Sequence, residues 1–240
     1  RTRWHWRHLM PNLLLALITF AIGTVLNLAV LAGLVWLQQA KLGLFNSIAP
    51  VSPFIAIPVV LLVLDFSWYL THVSLHKSKT LWRFHAVHHS DLAVDVTTTY
   101  RQHPVEGVVR YAYLAAFAFA IGASPQAFAF YRLWTVFAGQ AAHANLRLPQ
   151  PLDTAISYVT MSPTMHKVHH SRDPRFTDTN FSQIFSLWDR LFGTCTPARY
   201  GRDIDFGLDG HDDPRAQSTL GLLVLPFSGP RPEASEYEYD

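Results

Sequence analysis

The sequence contains little cysteine and little charge. One residue of its 240, Cys195, is a cysteine, which excludes an internal disulfide framework and a metal site built from several cysteines. Charged residues make up 15% of the chain, well below the roughly 25% of a typical soluble domain. The formal net charge of +2 is too small to indicate a nucleic-acid partner, because such domains are usually strongly basic. The mean hydropathy is positive, at +0.13, and together with the low share of charged residues it favours a membrane protein.

Two long apolar runs predict transmembrane helices. The first, at 12–37, contains no charged residue and, at about 1.5 Å per residue, can cross a hydrocarbon core of about 30 Å. The apolar core of a secretory signal would be shorter, about 7–15 residues. The second run, at 54–76, is interrupted by Asp65, and an acid inside a membrane helix is costly unless it is paired, which makes Asp65 a candidate functional residue. The basic residues before the first run place the N-terminus on the cytoplasmic side; they are Arg1, Arg3 and Arg7.

A third apolar block, at 107–145, is broken near its middle by Gly-Ala-Ser-Pro. We expect a helical hairpin that enters or crosses the bilayer and returns, because its tip carries no Lys or Arg, as is typical of the far side. The segments 77–106 and 146–225 predict a cytoplasmic helical cap, and 226–240 a Pro-rich, acidic tail. The predicted fold class is therefore all-α. We expect one domain, an integral membrane bundle of about four transmembrane or membrane-embedded helices that carries the cap on its cytoplasmic side.

Histidine is abundant, and two stretches of the chain share one histidine pattern. RFHAVHHS and MHKVHHS both contain His-x-x-His-His, and a pair spaced by four residues lies just upstream of the first. Positions i, i+3 and i+4 of a helix share one side, so each set should direct its imidazoles together. Eight imidazoles are too many for one ion of ordinary coordination number. The pattern therefore predicts a site for two metals, with these candidate ligands: His72, His76, His85, His88, His89, His166, His169 and His170.

Two further histidines are candidates for the same site. His143 ends the return helix of the predicted hairpin, which would bring it to the depth of the other histidines. His103 precedes a proline, and the sequence leaves open whether it is a ligand or donates a hydrogen bond to one. The isolated histidines at 5, 8 and 211 are predicted to be structural.

The chemistry of such a site depends on the metal. Imidazole suits zinc, copper, iron and nickel. Carboxylate-bridged di-iron sites in soluble bundles use Glu and Glu-x-x-His, a pattern that this sequence lacks, so an all-nitrogen site is the alternative. Iron would activate oxygen and oxidise a lipid that reaches the site from the bilayer, whereas zinc would favour hydrolysis. Two alternatives remain open: a zinc-dependent membrane hydrolase, although His-Glu-x-x-His is absent, and a non-catalytic lipid- or metal-binding membrane protein.

The histidine motifs resemble those of the fatty acid hydroxylase superfamily, also called the sterol desaturase family. That family has a first histidine pair and then two His-x-x-His-His motifs among membrane helices, and here these read HVSLH, HAVHH and HKVHH. The neighbouring words are also similar: DFSWYLTH, RQHPVE, HANLRLP and TDTNFSQIFSLWDRLFGT. The resemblance covers about 65–194.

The resemblance implies a dinuclear iron centre that uses O2 and two external electrons to hydroxylate or desaturate a lipid. Zinc can replace iron in such a site, because imidazole accepts both. The implied lipids are sterols, fatty acyl chains, carotenoids and alkylglycerols, and the implied electron donor is a ferredoxin or a small haem cytochrome with its reductase. The implied location is the bacterial inner membrane, with the site on the cytoplasmic face.

The resemblance also implies roles for individual residues. His143 matches an additional histidine of the family between the two triplets and joins the eight ligand candidates, whereas His103 matches a position that not every member fills with histidine. Other residues would orient the ligands, since a ligating histidine usually donates its second nitrogen to a carboxylate or carbonyl. The candidates for that role are Asp65, Asp178, Asn180 and Asp189.

Overall fold

The computed structural model of the protein describes residues 6–48 and 51–228. Arg1, Arg3 and His5, and the part of the predicted tail at 229–240, lie outside the described residues. The helices are the only regular secondary structure of the described part: it has no β-strand, and two isolated bridges are its only extended pairings. The predicted all-α fold is therefore confirmed.

Five helices of 11 residues or more build the frame: α1 (Trp6–Gln39), α3 (Pro53–Lys77), α4 (Lys79–His89), α5 (Pro104–Ile121) and α6 (Pro125–His143). The other helices are short: α2 (Leu44–Ser47), α7 (Gln150–Ser157), α8 (Pro163–His169), α9 (Pro174–Thr177), α10 (Leu187–Leu191) and α11 (Thr219–Val224). Three 3₁₀ turns lie at Thr98–Tyr100, Ala198–Gly201 and Leu225–Phe227.

Three segments of the described chain are long and apolar enough to cross a membrane. They are Arg7–Ser47, Pro53–Lys77 and Pro104–Ile121. The return helix α6 is of similar length to α5 but is less apolar and is not among them. Together with the exposed apolar side chains of α1, these segments define a membrane protein.

The turn between α5 and α6 depends on glycine. Gly122 ends α5 with φ of 67°, a left-handed conformation that costs glycine little. It also contacts Gly43, whose φ is 91°, and a Cβ atom on Gly43 would lie 2.6 Å from the Cα atom of Gly122. Only glycine allows this approach, which fixes the far end of the hairpin against the chain that leaves α1.

The helices pack in two regions. At the end distant from the histidines, apolar side chains of α1, α3, α5 and α6 form the largest cluster, which includes Leu34, Leu64, Leu114 and Phe128. Tyr131 is fully buried there, and its hydroxyl donates to the carbonyl of Leu64 at 3.0 Å. The other region, at the opposite end of the bundle, contains the histidines together with two smaller apolar clusters, one around Met165 and one around Val87.

A buried polar network joins α1 to the end of α4. The Asn12 side chain donates to Asp91 at 2.9 Å and accepts from Arg101 at 3.0 Å. His8 lies 3.2 Å from the same carboxylate, and Arg101, which has no exposed surface, also donates to the carbonyl of Val87. His8 is thus structural, as the sequence predicted, and the network fixes the helix that carries the first triplet.

Candidate metal centre

Nine buried histidines form two neighbouring clusters. In each cluster, one ring nitrogen of every member lies within 4.8 Å of the others. No member is more than 7% exposed. The first cluster contains His72, His76, His85, His89 and His169, and the second contains His88, His143, His166 and His170.

Both triplets are divided between the two clusters. Each helical residue advances by about 100°, so position i+3 falls about 60° to one side of position i and position i+4 about 40° to the other. On α4, His85 and His89 therefore join the first cluster while His88 joins the second. The sequence predicted that the three imidazoles of a triplet point in one direction. That prediction was too coarse, because one side of the helix faces two adjacent clusters.

The second triplet, at the end of α8 and on the C-cap residue that follows it, is divided in the opposite sense. His169 joins the first cluster, and His166 and His170 join the second. The two clusters consequently lie side by side, and the rings of His89 and His170 stack across their boundary with centroids 4.6 Å apart. The two triplet helices thus contribute to both clusters.

Local capping sets where these two helices begin. The Ser78 hydroxyl accepts from the backbone N–H of Leu81, and the Ser162 hydroxyl accepts from that of Met165. Pro163 follows Ser162 at the first helical position, where a missing N–H costs nothing. Serine caps of this kind satisfy backbone donors that a helix start leaves unpaired, so they fix the rotation at which the histidines emerge.

The distances between ring nitrogens suit ligands of common ions. The Nε2 atoms of His72 and His85 are 3.2 Å apart, and His143 Nε2 lies 3.2 Å from that of His88 and 3.0 Å from that of His166. Two nitrogens bound tetrahedrally at about 2.0–2.1 Å from one ion would be separated by about 3.4 Å. The donor sets are therefore near ligand spacing without any large rearrangement.

Unpaired ring nitrogens support the same interpretation. Among the described residues, both ring nitrogens of His89 and of His170, and Nε2 of His76 and His169, are buried without a hydrogen-bond partner. Each unpaired buried polar atom costs about 1–3 kcal/mol, and a bound cation removes that cost for the one nitrogen of each ring that coordinates it. Burial also lowers the pKa of His89, His169 and His170 well below the ordinary value, which keeps them in the neutral form that metal binding requires. The residues present thus fit a pair of metal ions.

Backbone carbonyls hold the second nitrogen of three rings. Nδ1 of His72 lies 2.7 Å from the carbonyl oxygen of Phe181, and Nδ1 of His169 lies 2.7 Å from that of Thr179. Nδ1 of His143 lies 2.8 Å from the carbonyl of Gly139. In each ring Nδ1 donates, so Nε2 is left as the atom that faces the cluster.

The two carbonyls that serve the first cluster belong to one short segment, 179–182. The Asp189 carboxylate accepts from the backbone N–H groups of Phe181 at 2.8 Å and Ser182 at 2.9 Å. Asn180 adopts a φ of 58° and donates to the carbonyls of Met165 and Thr196. These two candidates therefore act on the ligands through the segment, rather than by touching an imidazole.

Two carboxylates lie directly against ligand candidates. Asp178 Oδ1 is 3.1 Å from Nδ1 of His76, and its other oxygen accepts from Lys77 at 2.9 Å. Burial alone would raise the pKa of Asp178, but these two hydrogen bonds outweigh it and lower the pKa to about 2.

The second carboxylate, Glu106, was missed in the sequence analysis. It lies 3.0 Å from Nδ1 of His85 and also binds Arg110. The sequence feature that could have identified Glu106 is its position in the motif RQHPVE, where it is an acid in the first turn of an apolar helix.

Two candidates lie elsewhere. Asp65 accepts from the backbone N–H groups of Ile184 and Phe185 and from the Trp188 indole, at 3.1, 3.0 and 2.9 Å. These hydrogen bonds hold a loop against α3, and none of them is to a histidine. His103 caps α5 by accepting from its backbone at 3.2 Å. It belongs to neither cluster.

Comparison with known proteins identifies the family of the chain. The fatty acid hydroxylase family model matches residues 57–194, a range that includes both His-x-x-His-His motifs and the first pair. The chain belongs to the fatty acid hydroxylase family. The resemblance seen in its motifs is thereby confirmed.

The names of similar proteins describe enzymes that act on lipids or on long-chain aldehydes. Ornithine lipid hydroxylase OlsE of Rhizobium tropici is 30% identical over 88% of this chain and 61% of its own length. Alkylglycerol monooxygenase of Caenorhabditis elegans is 30% identical over 68% of this chain and 30% of its own length. Very-long-chain aldehyde decarbonylase GL1-9 of rice is 29% identical over 63% of this chain and 58% of its own length. The chain thus spans less than two thirds of each of these relatives, and no solved structure gives a significant match.

Proposed function

We propose that the protein is an integral membrane di-iron oxygenase that hydroxylates or desaturates a lipid C–H bond with O2 and external electrons. The observation that carries this proposal is the pair of adjoining clusters, five and four buried imidazoles, at one end of the apolar helices. Iron bound there would supply the redox chemistry that activates O2, which zinc does not supply because it has no redox cycle. Family membership supports the same reaction class.

The protein's own side chains would hold and orient the ions. The nine clustered histidines would be the ligands, with Glu106 and Asp178 fixing the rings of His85 and His76. Asp189 and Asn180 would keep segment 179–182 in place, so that its carbonyls hold His72 and His169. Burial of all nine rings excludes water from the reacting region, which protects an oxidising centre from side reactions.

The substrate and electrons would arrive from different sides. A cavity of about 410 Å³ lies between α1, α3, α5 and α6, and its wall includes Thr71, the residue before His72. A lipid chain could reach the clusters from there. We propose a cytoplasmic location for the N-terminus and the metal site in a bacterial inner membrane, with electrons delivered by a ferredoxin or a small haem cytochrome and its reductase. Nucleic acid has no part in this function.

Purified, iron-loaded protein supplied with candidate lipids, a reductant and ¹⁸O2 tests the proposal. We expect an oxidised lipid by mass spectrometry that requires both O2 and reductant. Incorporated ¹⁸O identifies hydroxylation, whereas loss of two hydrogens without ¹⁸O identifies desaturation. A product that forms without O2 or reductant would support a hydrolase instead and overturn the proposal.

Two histidine variants test the ligand assignment. His88→Ala and His169→Ala remove one ring from different clusters, and both should lose metal together with activity. His211→Ala is the matched control, because this histidine belongs to neither cluster, and it should keep both. Full activity in either cluster variant would refute the assignment.

A further inference from the structure

The cavity between the membrane helices contains more polar groups than a lipid chain needs. Its wall includes Thr19 of α1, Trp68 of α3 and Arg110 of α5. Each of these three side chains has a buried nitrogen or oxygen without a partner among the described residues: Thr19 Oγ1, Trp68 Nε1 and Arg110 Nη1. An unpaired buried donor is costly, and a hydrocarbon chain cannot remove that cost. The cavity is therefore suited to a ligand that brings oxygen acceptors.

Arg110 shows how one of these donors is left available. Its Nε and Nη2 atoms both engage Glu106, and its guanidinium stacks on the Trp68 ring at 4.1 Å from the centroid. The residue is 8% exposed, and Nη1 is the nitrogen that neither contact uses. The unpaired donors of Arg110 and Trp68 thus belong to one rigid pair of stacked side chains, next to the carboxylate that orients His85.

Arg132 gives the cavity wall an uncompensated positive charge. It donates to the amide oxygen of Asn27 at 3.1 Å and to the hydroxyl of Tyr111 at 3.0 Å, and both partners are neutral. In the described part of the chain no carboxylate forms an ion pair with it, whereas Glu106 balances Arg110. Asn27 and Tyr111 lie inside candidate membrane spans, and an unpaired cation at that depth is costly and marks a functional site.

The cavity reaches the outer surface beside this charge. Arg132 is half-buried, and two other wall residues, Leu133 and Val136, are 56% and 41% exposed. A lipid could therefore enter sideways from the bilayer along α6, with its head group arriving at Arg132.

We propose that this cavity selects a lipid with an anionic head group, a carboxylate or a phosphate, that pairs with Arg132, while a further oxygen of the same lipid accepts from Arg110 and Trp68. The inference rests on the proposed function, since it names the substrate class of that site. A charge-assisted hydrogen bond contributes about 1.5–3 kcal/mol, which corresponds to roughly tenfold to hundredfold in affinity. A merely structural Arg132, which pins α1 to α5 and α6, would give no such preference.

Equilibrium binding in a neutral detergent, with metal-loaded protein, tests the inference. Oleoyl lysophosphatidic acid and monooleoylglycerol form a matched pair that differs only in the phosphate, and oleate distinguishes a carboxylate from a phosphate. We expect at least one of the two anionic lipids to bind about tenfold more tightly than monooleoylglycerol or better. Equal affinity for all three would overturn the proposal. The binding measurement needs no turnover. A failure to oxidise lipid would therefore contradict the proposed function without affecting the measured preference for anionic lipids.

Three variants test which side chains cause the preference for anionic lipids. Arg132→Gln should weaken binding of the preferred anionic lipid about tenfold or more and that of monooleoylglycerol by less than about twofold, and Arg132→Lys should keep the anion preference because it keeps the charge. Trp68→Phe retains the stacked ring but removes the N–H, so it should weaken both glycerol lipids by a similar factor. The exposed Arg202, changed to Gln, is the control. If folded Arg132→Gln kept the preference, or if Arg132→Lys lost it to the same degree, the assignment would be wrong.

Discussion

Nδ1 of His85 lies 3.0 Å from Oε1 of Glu106, and neither side chain has any exposed surface. Glu106 also binds Arg110, so one carboxylate joins a ligand candidate of the first cluster to the wall of the membrane cavity. A carboxylate in this position fixes the orientation of the imidazole and raises its basicity.

The role of Glu106 predicts a metal-binding defect on substitution. Glu106→Gln keeps the shape but removes the charge, so metal affinity should fall about tenfold to hundredfold, as is typical when the partner of a ligating histidine is lost. Competition with a chelator measures this. Asp203→Asn, at an exposed acid, should change nothing, and unchanged metal affinity in folded Glu106→Gln would contradict the assigned role.

Asp178 should matter less than Glu106. Its side chain is 44% exposed, so water can replace part of its contact with His76. We expect Asp178→Asn to weaken metal binding by less than Glu106→Gln, by about tenfold at most. Because its pKa is lowered to about 2, Asp178 stays charged from pH 5 to pH 8, and the defect should be constant over that range. A defect that disappears within that range would show that the carboxylate does not act as described.

Asp65 should affect folding and not the metal site. Asn at this position cannot accept all three hydrogen bonds that join α3 to residues Ile184, Phe185 and Trp188. The free energy of unfolding should fall by about 2–3 kcal/mol, since hydrogen bonds to a charged group are strong. Thermal unfolding in detergent measures the loss, while metal content per folded chain should be unchanged. A stable Asp65→Asn protein that had lost metal would reverse this assignment.

The buried histidines predict how the metal-free protein responds to pH. Burial lowers the pKa of His89, His169 and His170 in the folded state, so the unfolded chain binds more protons below its ordinary histidine pKa of about 6.5. Stability rises with pH wherever the unfolded state binds more protons. The metal-free protein should therefore be stable above that pH and lose stability as the pH falls below it. Unfolding temperatures between pH 8 and pH 5 test this, and a flat profile would contradict it.

The sequence predicted the parts of the site that short-range periodicity determines. All nine histidines that it singled out as ligand candidates lie in the two clusters, because helical spacing placed each group on one side of its helix. Helical spacing separates position i+3 from positions i and i+4, but which cluster each position joins depends on how α4 and α8 pack against each other. His103 satisfied the motif but turns away to cap its own helix.

Long-range contacts explain what the sequence did not reveal. Asp65 was a sound candidate as an acid in a membrane helix, yet its partners lie about 120 residues further along the chain. The carbonyls of Thr179 and Phe181 carry no side-chain signal at all, although they orient two imidazoles. Glu106 needed the packing of α5 beside α4 before its contact with His85 was evident.

Counting bound metal tests the central claim most directly. Elemental analysis of fully loaded, folded protein should give two ions per chain, one for each histidine cluster. His169→Ala should release the ion of the first cluster more readily and His170→Ala that of the second. Fewer than two ions per chain in well-loaded wild-type protein, or no loss of metal in either variant, would contradict the account.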